Sequence, residues 1–231
     1  MRRRRVQWRR AWRIIASRFP PIDLFERVSG DPAVWEALIA AEQATNPRLR
    51  DAAGEIALVP PEDRVAGLGA SYVMAPFTHV NPAGSRFSDG RFGVCYLARE
   101  FATALRETAF HFARLAGDAA DPPRREDMRV LTAAIDARLH DVDSLPAAVR
   151  RRVLDPESYD ASRALGARLR ADGSPGVVYP SLRNPGGMAV GAFTPRVVRL
   201  PVTQERHLQY AWDGRRVARY FDYAAEAWFR L

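Results

Sequence analysis

The chain has 231 residues, 47% hydrophobic, 10% aromatic and 27% charged, a globular composition long enough for one domain to fold without disulfides. Its one cysteine, Cys95, cannot form an internal bridge, and no apolar run reaches the roughly 20 residues that span a bilayer. The start, MRRRR, lacks the apolar segment of a signal peptide, so a soluble, cytoplasmic protein without membrane contact is expected.

Net charge is +8 and the pI about 10.4, which raises nucleic acid as a partner. The chain has no lysine, however, so all 35 cations are arginine. That bias fits GC-rich codons, and beyond Arg2–Arg5 the arginines are scattered without interleaved stacking aromatics. Direct nucleic-acid binding is not expected, although a basic nucleic-acid-associated module stands as an alternative reading.

In chain order, Trp8, Trp12, Ile14 and Ile15 mark a buried segment closed by Pro20-Pro21. A helix follows from about Asp31, with aspartate as N-cap and Pro32 at the first helical position. Its apolar face is Trp35, Leu38 and Ile39, and Asn46-Pro47 ends it. EIALV (55–59), Pro60-Pro61 and the glycine-rich 67–71 lead into SYVMAPFTHV (71–80), which reads as a buried strand. A short strand, VCYLA, precedes a helix from about Arg99 with its apolar stripe at Phe101, Leu105, Thr108, Phe112 and Leu115.

After a polar loop (118–125), residues 129–142 begin as a strand, although their alanines permit helix. A short helix is expected at 146–153 and a longer one at 158–171. Strands follow at 176–181 and 188–193, joined by NPGG, then β-like runs at 196–202, 207–212 and 216–221 with a turn at Asp213-Gly214. Helices and strands mix without regular βαβ alternation, so the fold class is α+β. The chain is expected to form a single domain, 1–231. Its core spans about 12–195, with an N-terminal helical insertion at about 30–66 and a β-rich C-terminal tail.

The strong chemical signatures are missing. There is no phosphate-binding loop ending in Gly-Lys, no Gly-x-Gly-x-x-Gly, no paired-cysteine spacing and no HExxH among His79, His111, His140 and His207. Metal catalysis is not expected, and Cys95 in its apolar strand reads as an inert core thiol. What remains is GSRFSDGRFGVCYLAREFATALRETAFHFAR (84–114). Arg86 sits in a small-residue turn that suits a carboxylate or phosphate. Glu107 lies roughly 120° from the apolar stripe, beside Glu100, Ala104 and His111. That position is either a solvated face or a cleft edge. Tyr96 is either a core residue or a ligand contact.

Arg86, Tyr96, Glu107 and the later VVYPSLRNPGG together resemble the RES-domain family, named for arginine, glutamate and serine. Ser88 stands where the family carries an asparagine, and Ser181 falls at the end of the serine strand. The family's earlier arginine matches Arg13 in Trp12-Arg13 or Arg18 in Arg18-Phe19, and Ser162 is a second serine candidate.

The resemblance implies a fold like that of ADP-ribosyltransferase toxins, a split antiparallel sheet around an NAD cleft. It further implies a toxin of a bacterial toxin–antitoxin pair that destroys NAD by hydrolysis or phosphorolysis. ADP-ribosylation of a protein is the alternative. NAD is then a substrate and no cofactor is needed. Glu107, Arg86 and Ser181 are the catalytic candidates, and Arg13 or Arg18, Tyr96 and Ser162 the NAD-binding ones. The implied partner is a small helix-turn-helix antitoxin, and the Trp8–Trp12 segment, read as an exposed arm, suits a homodimer or partner contact.

Overall fold

A computed structural model describes residues 1–18, 24–26, 31, 33–37, 40 and 54–231. Pro20-Pro21, Pro32, Leu38, Ile39 and Asn46-Pro47 lie outside them. Residues 33–37 are helical, the Asp31 carboxylate accepts a hydrogen bond from the Ala33 N–H, and Trp35 stacks on Phe25 at 5.0 Å.

The fold is α+β, organised on two long strands. β1 (Arg3–Ala16) and β3 (Arg124–Asp141) pair antiparallel from Arg3↔His140 to Ala16↔Met128, with a bulge between Trp8 and Ala11. The Trp8–Trp12 segment is therefore an integral strand rather than an arm. β3 is a strand throughout despite its alanines. Met128, Val130, Leu131, Ala133 and Ile135 are buried on both of its faces, and such tertiary packing outweighs local propensity.

The other edge of β3 splits. Its first part pairs with β6 (Val198–Trp212), and its last two residues pair parallel with β4 (Gly176–Pro180) through His140↔Val177 and Asp141↔Val178. β4 continues antiparallel to β5 (Met188–Ala192), and β5 to β2 (Cys95–Ala98). β2 returns to β1 at Trp12↔Ala98, so β1, β2, β5, β4 and β3 close a ring. Beyond β6 lie β7 (Val217–Asp222) and β8 (Ala227–Arg230). The runs at 196–202 and 207–212 are thus one irregular strand, and β8 had no counterpart in the sequence reading.

Residues 71–80 are not a strand. They fall largely in helix α1 (Ala70–Thr78), which buries Val73, Met74 and Phe77 in the core despite Pro76 inside it. The run is apolar without period-two alternation, and such a run does not separate a strand from a buried helix. Gly69 precedes it in the left-handed region, φ 80°, where a Cβ would overlap the Val202 carbonyl.

Helix α2 (Phe101–Asp118) packs on β1, β3 and β6 through Leu105, Ala109, Phe112 and Ala116, against Met128, Val130, Leu208 and Tyr210. Leu115, expected in the stripe, is 59% exposed. The buried face uses alanines instead, which bring the helix close to the sheet and leave Thr108 and Leu115 facing a cavity. Two further helices, α3 (Ala147–Val153) and α4 (Asp160–Ala171), cover the β4 end.

Candidate active site

A cavity of about 460 Å³ opens between α2, the ends of β1, β2 and β4, the 81–86 turn and the start of α4. Its wall includes Arg13, Arg86, Tyr96, Glu107, His111 and Tyr159.

Glu107 is held from across the cavity wall. Ser181, immediately after β4, donates its hydroxyl to Glu107 Oε1 at 2.6 Å. The same serine oxygen accepts the backbone N–H groups of Arg183 (3.2 Å) and Asn184 (3.0 Å). With its acceptor positions taken, its one proton is directed at the carboxylate. The 181–187 turn is itself docked on α2. Asn184 donates to Thr103 Oγ1, Arg106 donates to Asn184 Oδ1, and a Cβ on Gly187 would overlap the Thr103 hydroxyl. Glycine at 187 is therefore what lets the serine turn lie against the helix one turn before Glu107.

His111 sits one helical turn after Glu107, with Nε2 3.8 Å from Oε2, and its side chain is half exposed. Desolvation in the cleft wall lowers its pKa against the pull of Glu107, and Arg86, Arg183 and Arg114 lower it further. The imidazole is therefore neutral at neutral pH.

Arg86 is 7% exposed and donates from Nη1 to the Asp155 carbonyl at 2.9 Å. Its guanidinium lies 4.3 Å from the ring centre of Tyr159, which Arg114 and Arg163 also approach, at 5.5 and 5.8 Å. The Tyr159 hydroxyl is buried without a hydrogen-bond partner among the described residues.

The Tyr96 hydroxyl is spent on the Arg86 turn: it shares a 2.8 Å hydrogen bond with Ser85 Oγ and accepts the Phe87 N–H at 3.0 Å. Burial pushes this phenol up to about 12, so it stays protonated. Its ring still lines the cavity. Ser88 is 2% exposed and bonds within the same loop, to Phe92 O and from Gly90 N.

Of the two N-terminal candidates, Arg13 lines the cavity, donates to the Tyr96 carbonyl at 3.1 Å and leaves Nε without a partner among the described residues. Arg18 is paired instead with Glu126 at 3.7 Å and is not part of the cavity wall. Ser162 is fully buried and donates to the Tyr159 carbonyl, so it faces the helix rather than the cavity. The structure thus groups Arg13, Arg86, Tyr96, Glu107 and Ser181, and sets Arg18 and Ser162 apart.

Tyr159, Arg114 and Arg163 were not singled out from sequence. A signal was present for two of them: Tyr159, Arg163 and Gly166 are spaced i, i+4, i+7, one helical face. Burial raises the Cys95 thiol pKa, which suits its inert reading. Among the described residues no cluster of three or more metal-ligating side chains occurs, and no helix is long and apolar enough to cross a membrane.

The RES domain model matches residues 61–213, more than half of the chain, and the chain belongs to that family. The match takes in Arg86, Tyr96, Glu107 and Ser181 and leaves β1, with Arg13, and the β7–β8 hairpin outside. An uncharacterized protein of Sinorhizobium fredii, y4oC, is 28% identical over 207 residues, covering 90% of this chain and 84% of its own. A chain in the crystal structure of the M. tuberculosis MbcT–MbcA toxin–antitoxin complex shows 14% identity and a TM-score of 0.38. The match covers 56% of this chain and 73% of that one, a likeness too slight to bear on the fold.

Proposed function

We propose that this chain cleaves NAD at the nicotinamide–ribose bond, as a toxin restrained by a small antitoxin protein. One observation carries the reading: a carboxylate fixed by a directed serine proton, Ser181 to Glu107 at 2.6 Å, in the wall of a cavity that Arg13 and Arg86 also line. Its volume of about 460 Å³ is within the range of small-molecule sites.

In this reading Arg86 and Arg13 bind the pyrophosphate, and Arg13 Nε, which has no partner among the described residues, supplies a donor to it. As the bond to nicotinamide breaks, its electron pair neutralises the pyridinium nitrogen and positive charge develops on the ribose. Glu107 stabilises that charge. Oε1 is held by Ser181, which leaves Oε2 to take a ribose hydroxyl or the proton of an attacking water. The ring of Tyr96 packs against the nucleotide, while its hydroxyl keeps the Arg86 turn in shape.

The test is nicotinamide release from NAD by the purified chain, with and without inorganic phosphate. ADP-ribose as product identifies water as the acceptor, and ADP-ribose 1″-phosphate identifies phosphate. Failure of the folded, partner-free chain to release nicotinamide overturns the proposal.

A further inference from the structure

Arg86 is the most buried cation of the cavity wall, yet among the described residues its hydrogen bonding is one contact, to the Asp155 carbonyl. Its orientation must come from the turn that carries it. We propose that the face formed by Tyr159, immediately before α4, and by Arg163 and Gly166 of α4 is the positioning device for Arg86, with Arg163 as the residue that clamps the turn. This rests on the reading of the cavity as an NAD site.

Three contacts converge on one short stretch of backbone. Arg163 donates from Nε to the Ser85 carbonyl (3.1 Å) and from Nη2 to the Ala83 carbonyl (2.8 Å), one fork spanning two oxygens on either side of Gly84. A lysine ammonium has no such fixed fork. One turn further along, Gly166 lies against the Phe87 carbonyl, and a Cβ there would overlap it. One turn earlier, the ring of Tyr159 lies against the Arg86 guanidinium itself, at 4.3 Å.

From the opposite side, the Tyr96 hydroxyl takes the Phe87 N–H and pairs with Ser85 Oγ. The turn is therefore gripped between β2 and α4, and the arginine is set before any ligand arrives. Such pre-organisation removes an ordering cost from binding. Arg163 also reaches the cavity wall, so a direct ligand contact is the competing role. Its donors on the two carbonyls argue for positioning instead.

A double-mutant cycle separates the two roles. Arg163→Met is expected to raise KM for NAD about tenfold with kcat within about threefold. In an Arg86→Ala background the same change is expected to add less than about twofold. Arg163→Lys is expected to resemble Arg163→Met, because the fork rather than the charge is what matters. It also answers the question if the methionine variant folds poorly.

A second readout needs no catalysis. The Arg86 Nε–H signal in a ¹⁵N-labelled sample, assigned by its loss in Arg86→Lys, should be sharp and shifted by the Tyr159 ring. It should broaden or move toward the free-arginine position in Arg163→Met. Fully multiplicative kinetics, rescue by lysine, or an unmoved Arg86 signal would each overturn the inference. A wild-type chain that releases no nicotinamide overturns the functional reading instead, and the spectral comparison still decides the positioning role.

Discussion

The two ends of the cavity are held by different means. At the carboxylate end, Glu107 is fixed by a short relay between neighbours: α2 carries the glutamate, and the serine turn is docked on α2 through Thr103, Arg106 and Asn184. At the cationic end, Arg86 depends on three separated pieces of chain: its own turn, Tyr96 of β2, and the 155–166 segment. The carboxylate end concentrates its function in few atoms. Loss of the carboxylate itself should be abrupt there, whereas the cationic end should weaken by degrees as its supports are removed.

The largest expected effect on folding stability is at the glutamate's partner turn. A Cβ at Gly187 overlaps the Thr103 hydroxyl and crowds Asn184, so Gly187→Ala should lift the serine turn from α2. Such overpacking costs about 1–3 kcal/mol, measurable by denaturant unfolding, and nicotinamide release should fall with it. Arg86→Ala comes next. It removes the buried cation, and kcat/KM for NAD should drop about 100-fold, on the order of a lost charged contact of roughly 3 kcal/mol. Ser181→Ala, measured in the same assay, leaves Glu107 charged but unaimed and should cost about tenfold, the size of one hydrogen bond to a charged group.

A smaller and pH-dependent effect falls on His111. Its folded-state pKa is below the ordinary histidine value, so it is neutral at pH 7. As pH falls through that depressed value, it gains a proton 3.8 Å from Glu107 Oε2 and offsets the carboxylate's charge. Activity should therefore decline on the acid side below the usual histidine range, and His111→Gln should move that limb down toward the carboxylate range. The sign for stability is the same. The unfolded chain takes up the proton first, so any contribution from this group is intact above the ordinary histidine value. It is lost as pH drops through the folded one. A pH series of release rates and of melting midpoints checks both. Smallest of all, Cys95→Ala should leave release within about twofold, because the thiol is buried and lies outside the large cavity.

The sequence was informative where chemistry and local order coincide. Arg86, Tyr96, Glu107 and Ser181 stand in the motifs that carried the resemblance, and the structure brings the first three to one cavity with Ser181 bonded to the glutamate. It was less informative where side-chain bulk misled. Leu115 looked like core, but the alanines of α2 are what pack on the sheet. Residues 71–80 looked like a strand because the run is apolar almost throughout, although the buried positions Ala70, Val73, Met74, Phe77 and Thr78 follow one helical face. The separation of Arg13 from Arg18 follows from strand pairing: Arg13 sits opposite Leu131 inside the sheet, whereas Arg18 falls beyond the end of β1. No local pattern encodes that pairing, nor the convergence of α4 on a turn some 80 positions earlier.

The most direct measurement is nicotinamide release by wild type and Glu107→Gln, compared at equal folded concentration. The account predicts release by the wild type and a loss of at least about 100-fold in the variant, with the melting midpoint preserved. A folded Glu107→Gln protein that releases nicotinamide at the wild-type rate would contradict the assignment of the carboxylate.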